Sequence, residues 1–344
     1  MVKSIQYTIN GVNICIDPKI ELMGILITLS DESSIDKFKR LFEFGENNDE
    51  YIKIIKNGFS YLIETGFIER FNIIKNKYHL HYQEPIKLML MLDDEFSSES
   101  LEKYCEQKPE QDFYDFISEI KELYESPKFV DFYNKNTDRY DKWIKSLIPL
   151  YKKYNLSDII ATYCGDKYKN LKLYNNLISF ETNGGYGIYL DGEAHYCGRA
   201  FSSQYTINNN LFALKNIDGR LKIVIHEFLH SIVNPITDKY NIFTFESNYL
   251  EKTDRLSFSG YGTDYSLINE TIVRAITIKL YSSIIREANA KALLDSEYNQ
   301  GFIFIKDIYK LLSEYENNRD IYLDIDSFYE KIAAIIINVK EKNK

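Results

Sequence analysis

The stretch LKIVIHEFLHSIVNP, Leu221 to Pro235, holds two of the chain's five histidines, four residues apart, with a glutamate directly after the first. On a helix, positions i and i+4 lie one turn apart on nearly the same face, so His226 and His230 can aim both imidazoles at one ion. Glu227 is rotated by about 100° from His226 and flanks the ion without ligating it. That is the placement of a general base in the H-E-x-x-H pattern, while Phe228 and Leu229 face the core. A chain of this composition yields the pattern by chance on the order of 0.005 times. The competing reading is a helix whose histidines are satisfied by hydrogen bonds alone. It would leave a charged Glu227 in an apolar run, which is costly without a partner. Pro235 predicts that the helix runs from about Leu221 to Val233, with Asn234 at its end.

A catalytic zinc site needs a third protein ligand and keeps one position open for water. The extended H-E-x-x-H-x-x-G-x-x-H form would need Gly at 233 and His at 236, where this chain has Val233 and Ile236. The best candidate is Glu270 in LINETIVRAITIKLY, near the start of a second helix expected from about Ser266 to Ala288. Its apolar stripe of Ile268, Ile272, Val273 and Ile276 would hold that helix against the first. Glu246, Glu251, Asp254 and Asp264 are weaker candidates in the irregular stretch between. Glu270 could instead form a solvated i, i+4 ion pair with Arg274. Arg274 could orient Glu270, bind another carboxylate or receive a substrate carboxylate; with Asn269 it is placed beside the ligands as a supporting residue.

The oxyanion of an acyl-transfer step needs a donor besides the metal. Tyr261, between glycines in SFSGYGTDYS, and His195 in GEAHYCGRA are the candidates. His79 and His81 alternate as one face of a strand would and receive no role. YGIYL, Tyr186 to Leu190, reads equally as an internal strand or as a sheet edge on which a peptide could pair as an added strand.

Earlier in the chain, residues 5 to 30 read as a strand pair turning at Asn10-Gly11, followed by a short buried segment after Asp17-Pro18. Helical and extended readings compete from Ser34 to Leu92. Between Ser100 and Thr162, Phe113, Phe116, Ile117 and Ile120 recur at helical spacing, so two or three amphipathic helices are expected. After Cys164, KLYNNLISFETNGGYGIYLDG is rich in β-formers, with Asn183-Gly184-Gly185 placed as a hairpin turn. Residues 301 onward read as mostly helical.

The formal charge of -9 argues against sequence-independent nucleic-acid binding, which needs a basic surface. Cys15, Cys105, Cys164 and Cys197 are far apart and show no C-x-x-C spacing, so reduced thiols are expected. No signal peptide is visible, and LMGILITL is too short to span a bilayer, so a soluble, cytoplasmic protein with no membrane or nucleic-acid partner is expected.

His226-Glu227-x-x-His230 with a downstream helical Glu270 resembles the gluzincin arrangement of zincin metallopeptidases. More narrowly, IHEFLHSIVNP, INETIVRA, IDPKIELMGIL and YENNRDIYLDIDSFYEKI resemble an uncharacterised bacterial family, a domain of unknown function with a zincin-like peptidase domain. The similarity spans roughly residues 13 to 335. It implies one Zn2+ per chain held by His226, His230 and Glu270, with Glu227 as general base and a peptide or protein as substrate.

The expected fold is α+β: a zincin-like metallopeptidase domain over 166–344, with a small mixed sheet, an active-site helix and a second ligand helix. A mixed, mainly helical region over 1–165 would form one continuous unit with it. The expected activity is zinc-dependent peptide hydrolysis. The alternatives are an inactive zincin-fold interaction protein and a metal-dependent hydrolase of a non-peptide substrate.

Overall fold

The computed structural model describes residues 2–30, 46–81, 84–176, 185–190, 193–199, 217–240, 264–285 and 289–342. The chain opens with a hairpin of β1 (Ile5–Ile9) and β2 (Val12–Ile16). Asn10 and Gly11 both have positive φ, 47° and 76°, as a two-residue turn matched to the strand twist requires. Asp17 then ends the strand and starts α1 (Pro18–Ser30): its carboxylate accepts from the backbone N–H groups of Lys19 and Ile20 at 2.8 and 3.2 Å. Pro18 occupies the first helical turn, where its missing N–H costs nothing. Helix α1 is buried almost all round, so the short buried segment of the sequence is a central helix.

Nine helices follow among the described residues. They are α2 (Glu46–Phe59), α3 (Tyr61–Glu64), α4 (Phe67–Lys77), α5 (Glu84–Met91), α6 (Ser98–Cys105), α7 (Gln111–Glu125), α8 (Pro127–Lys135), α9 (Thr137–Lys153) and α10 (Leu156–Cys164). The last five replace the two or three helices expected there. Ser97 and Ser126 accept from the N–H groups of Ser100 and Phe129, so these side-chain caps divide the helical run where periodicity alone does not. His79 sits in the turn after α4 with φ 54°, which rules out the strand face suggested for His79 and His81.

The sheet has the order β1-β2-β3-β5-β4, with β3 (Leu171–Asn176), β4 (Gly185–Leu190) and β5 (Glu193–Arg199). β2–β3 and β3–β5 are parallel; β1–β2 and β4–β5 are antiparallel. Strands from the first sixteen residues therefore share a sheet with strands that follow residue 170. The described strands on either side of the expected Asn183-Gly184-Gly185 turn, β3 and β4, are not neighbours, since β5 lies between them; Asn183 and Gly184 lie outside the described residues. Instead β4 pairs with β5, Leu190 opposite Glu193. This leaves a two-residue Asp-Gly connection, the turn chemistry that hairpins favour.

Helix α11 (Ile217–Tyr240) packs on β4, β5 and α12 (Asp264–Ile284). It runs straight past the expected stop at Pro235. Ile236 and Thr237 beyond the proline are buried, and the Thr237 hydroxyl bonds Asn269 of α12 and Tyr329 of α15 (Ile325–Lys342). Tertiary contacts thus outweigh the ladder bond that Pro235 removes. α13 (Ala290–Gln300) and α14 (Ile305–Asn317) pack against α12. The architecture is a mostly helical α+β fold with one small mixed sheet. Buried side chains from both halves of the chain form one hydrophobic cluster. Cys15, Cys105 and Cys164 are free thiols. Among the described residues no helix is long and apolar enough to cross a membrane.

Candidate metal centre

Helix α11 buries Val224, Ile225, Phe228, Leu229, Ile232 and Val233. This turns His226 and His230 together toward α12, whose Leu267, Ile268, Ile272, Val273 and Ile276 are buried in turn. Glu270 lies on that same helix. His230 Nε2 lies 3.1 Å from His226 Nε2 and 3.1 Å from Glu270 Oε1, and His226 Nε2 lies 3.6 Å from Glu270 Oε2. These three residues, each offering one ligand atom, form a group that can hold a metal ion. The separations lie around the ligand-to-ligand edge of tetrahedral zinc, about 3.3–3.4 Å for ligands at about 2.0–2.1 Å, with each Glu270 oxygen facing one ring. The three side chains keep 13–16% of their exposure, so the group remains open to solvent.

Electrostatics agree with the geometry. Burial pushes His226 down to about 4, against the pull of Glu270, so the ring is neutral at physiological pH. Burial also works to lower His230, but the hydrogen bond and charge of Glu270 outweigh it and raise its pKa. Burial works to raise Glu270, yet His226 and His230 hold its carboxyl well below the usual range. The carboxylate is therefore ionised and already faces cationic character. Burial pushes the neighbouring Glu227 up to about 8, with Glu270 adding to the shift and His230 opposing it. A carboxyl poised near neutrality beside such a group is suited to exchanging protons.

Arg274 donates from Nε to Glu270 Oε2 at 2.9 Å, so the i, i+4 ion pair forms, on a part-buried rather than a solvated face, while Glu270 Oε1 faces His230. Asn269 is buried, but it accepts from Thr237 and ties α12 to α11 one step away from the histidines. His195 is buried in β5 and stacked on the Tyr174 ring, centroids 5.6 Å apart. It is not one of the three grouped residues. Tyr261, Glu246, Glu251 and Asp254 lie outside the described residues, as does the side chain of Asp264.

Two contributors escape the sequence reading. Asn234, expected to end the helix, continues it and places Oδ1 3.2 Å from His230 Nδ1. With the proton on Nδ1, that ring donates to Asn234 and turns the Nε2 lone pair to the metal position. The signal was available: Asn234 is i+4 from His230, on the face the histidines share. The other is Glu297 of α13, which accepts from Arg274 Nη1 at 2.7 Å and from Lys222 Nζ at 3.2 Å. Nothing in the local pattern of AKALLDSEYNQ distinguishes it.

No curated protein and no solved structure matches the chain. A family profile does match, over residues 98–335, and so covers both ligand helices and the C-terminal YENNRDIYLDIDSFYEKI. The early IDPKIELMGIL falls outside the matched residues, which shortens the similarity expected from residue 13. The match takes in more than half of the chain, which belongs to the family described as Domain of unknown function (DUF4932).

Proposed function

We propose that the chain is a zinc-dependent peptidase with a zincin-like catalytic domain of gluzincin type. One observation carries the proposal: His226, His230 and Glu270 converge at ligand-to-ligand distances, with Glu227 on the adjoining helical position. The two-histidine, one-carboxylate donor set is that of catalytic zinc in several peptidases, and it leaves a coordination position open. A bound Zn2+ would supply Lewis acidity, lowering the pKa of a water and polarising a carbonyl.

The remaining work falls to the chain's own groups. Glu227 takes a proton from the attacking water and returns it to the leaving amine, a task for which its place directly after His226 on α11 suits it. Asn234 fixes the His230 ring, and Arg274 fixes the Glu270 carboxylate. A peptide is favoured over other electrophiles by the position of β4. Among the described residues it is the last strand of the sheet, and it packs against the helix that carries the histidines, so an extended peptide could pair along it.

The test incubates wild type, Glu227→Gln and Glu270→Ala with a peptide library after metal loading. Cleavage by wild type alone supports the proposal. A chain that binds zinc but cuts no peptide favours the interaction-protein alternative.

A further inference from the structure

Glu297 belongs to none of the groups that meet at the candidate metal position, yet it is 4% exposed and engages two cations. Its Oε1 accepts from Lys222 Nζ at 3.2 Å, one turn before His226 on α11. Its Oε2 accepts from Arg274 Nη1 at 2.7 Å, one turn after Glu270 on α12. Arg274 continues to Glu270 Oε2 through Nε at 2.9 Å, with its guanidinium 4.5 Å from the centre of the buried Phe302 ring. A continuous sequence Lys222, Glu297, Arg274, Glu270 thus joins the two ligand-bearing helices through a third.

An arginine beside a carboxylate tends to pair with it through two parallel N–H···O bonds. Arg274 instead divides its fork between two carboxylates, Nε going to Glu270 Oε2 and Nη1, on another edge of the guanidinium, to Glu297 Oε2. Glu270 Oε1 is left facing His230 Nε2 at 3.1 Å. Lys222 and Arg274 together offset the charges of the two carboxylates, which makes the burial of Glu297 tolerable.

We infer that Glu297 is a positioning residue for the metal centre. By holding Arg274 Nη1, it fixes the plane of the guanidinium so that Nε meets Glu270 Oε2, which leaves Glu270 Oε1 facing His230 Nε2 and available to a cation. This rests on the metal-site reading above and adds to it a group from outside both ligand helices.

The experiment uses the full chain as wild type, Glu297→Gln, Glu297→Asp and Arg274→Lys. Zinc affinity is measured by competition with a chromophoric chelator, and each protein loaded with Co2+ gives its visible spectrum. Glu297→Gln is expected to weaken zinc by about 10- to 100-fold and to shift the cobalt bands, as loss of a group supporting a metal ligand does. Glu297→Asp, which keeps the charge, should recover part of the affinity. Arg274→Lys replaces the planar fork, with its donors at fixed angles, by a single ammonium and should shift the bands as Glu297→Gln does.

A Glu297→Gln protein that binds zinc within about twofold of wild type, with unchanged cobalt bands, overturns the inference even if its melting temperature falls. If that variant does not fold, unchanged bands in Arg274→Lys overturn it instead. A wild-type chain that takes up neither ion is a different failure: it removes the metal-site reading, and this inference with it.

Discussion

His226 Nε2 and His230 Nε2 face each other at 3.1 Å, across the space that Glu270 closes from α12. Two imidazole nitrogens at that separation need a proton or a cation between them, since two lone pairs repel. The acidic Glu270 carboxylate tilts the choice toward positive charge, and both rings hold it there from successive turns of one helix.

Glu227→Gln keeps the shape of the side chain and all three ligands, and removes only the proton acceptor. Zinc content should therefore match wild type, while peptide hydrolysis falls by about 10²- to 10⁴-fold, the usual share of a general base. Metal analysis and single-turnover cleavage on the same preparation check both halves of the statement.

Asn234→Ala takes away the partner of His230 Nδ1 while leaving α11 intact, since alanine is the better helix former. Zinc affinity should fall by about 10- to 100-fold with little change in melting temperature. Equal affinity would mean that the His230 ring is oriented by packing alone.

Glu21 gives the fold a pH dependence of its own. Burial pushes its carboxyl up to about 7, against hydrogen bonds from Tyr51 and Tyr140. The native chain therefore keeps a proton that the unfolded chain releases near 4.5. Stability from this residue is fully present below that pH and is lost as pH rises toward 7, a change on the order of 3 kcal/mol. Urea unfolding at several pH values should show Glu21→Gln with a flatter profile than wild type. Parallel profiles would place the native pKa near the unfolded one.

Residues whose meaning is local were legible in the sequence. The histidine pair follows from one helical turn, and Glu270 follows from an apolar stripe that fixes which face of α12 meets α11. Residues whose meaning depends on distant packing were not. Glu297 acquires its role only when α13 folds back over α11 and α12. Asn234 was obscured by the helix-breaking preference of its neighbour Pro235, which the burial of Ile236 and Thr237 overrides. The parallel β3–β5 pairing competes with an equally plausible local turn, and only the insertion of β5 between β3 and β4 decides between them.

The central claim is that His226, His230 and Glu270 bind one cation together. Calorimetric titration of the metal-stripped full chain with zinc tests it most directly. Wild type should bind one ion per chain, with affinity falling by at least about tenfold in Glu270→Ala and further in His230→Ala. Wild type binding no zinc, or binding it equally well without Glu270 and without His230, would contradict the account.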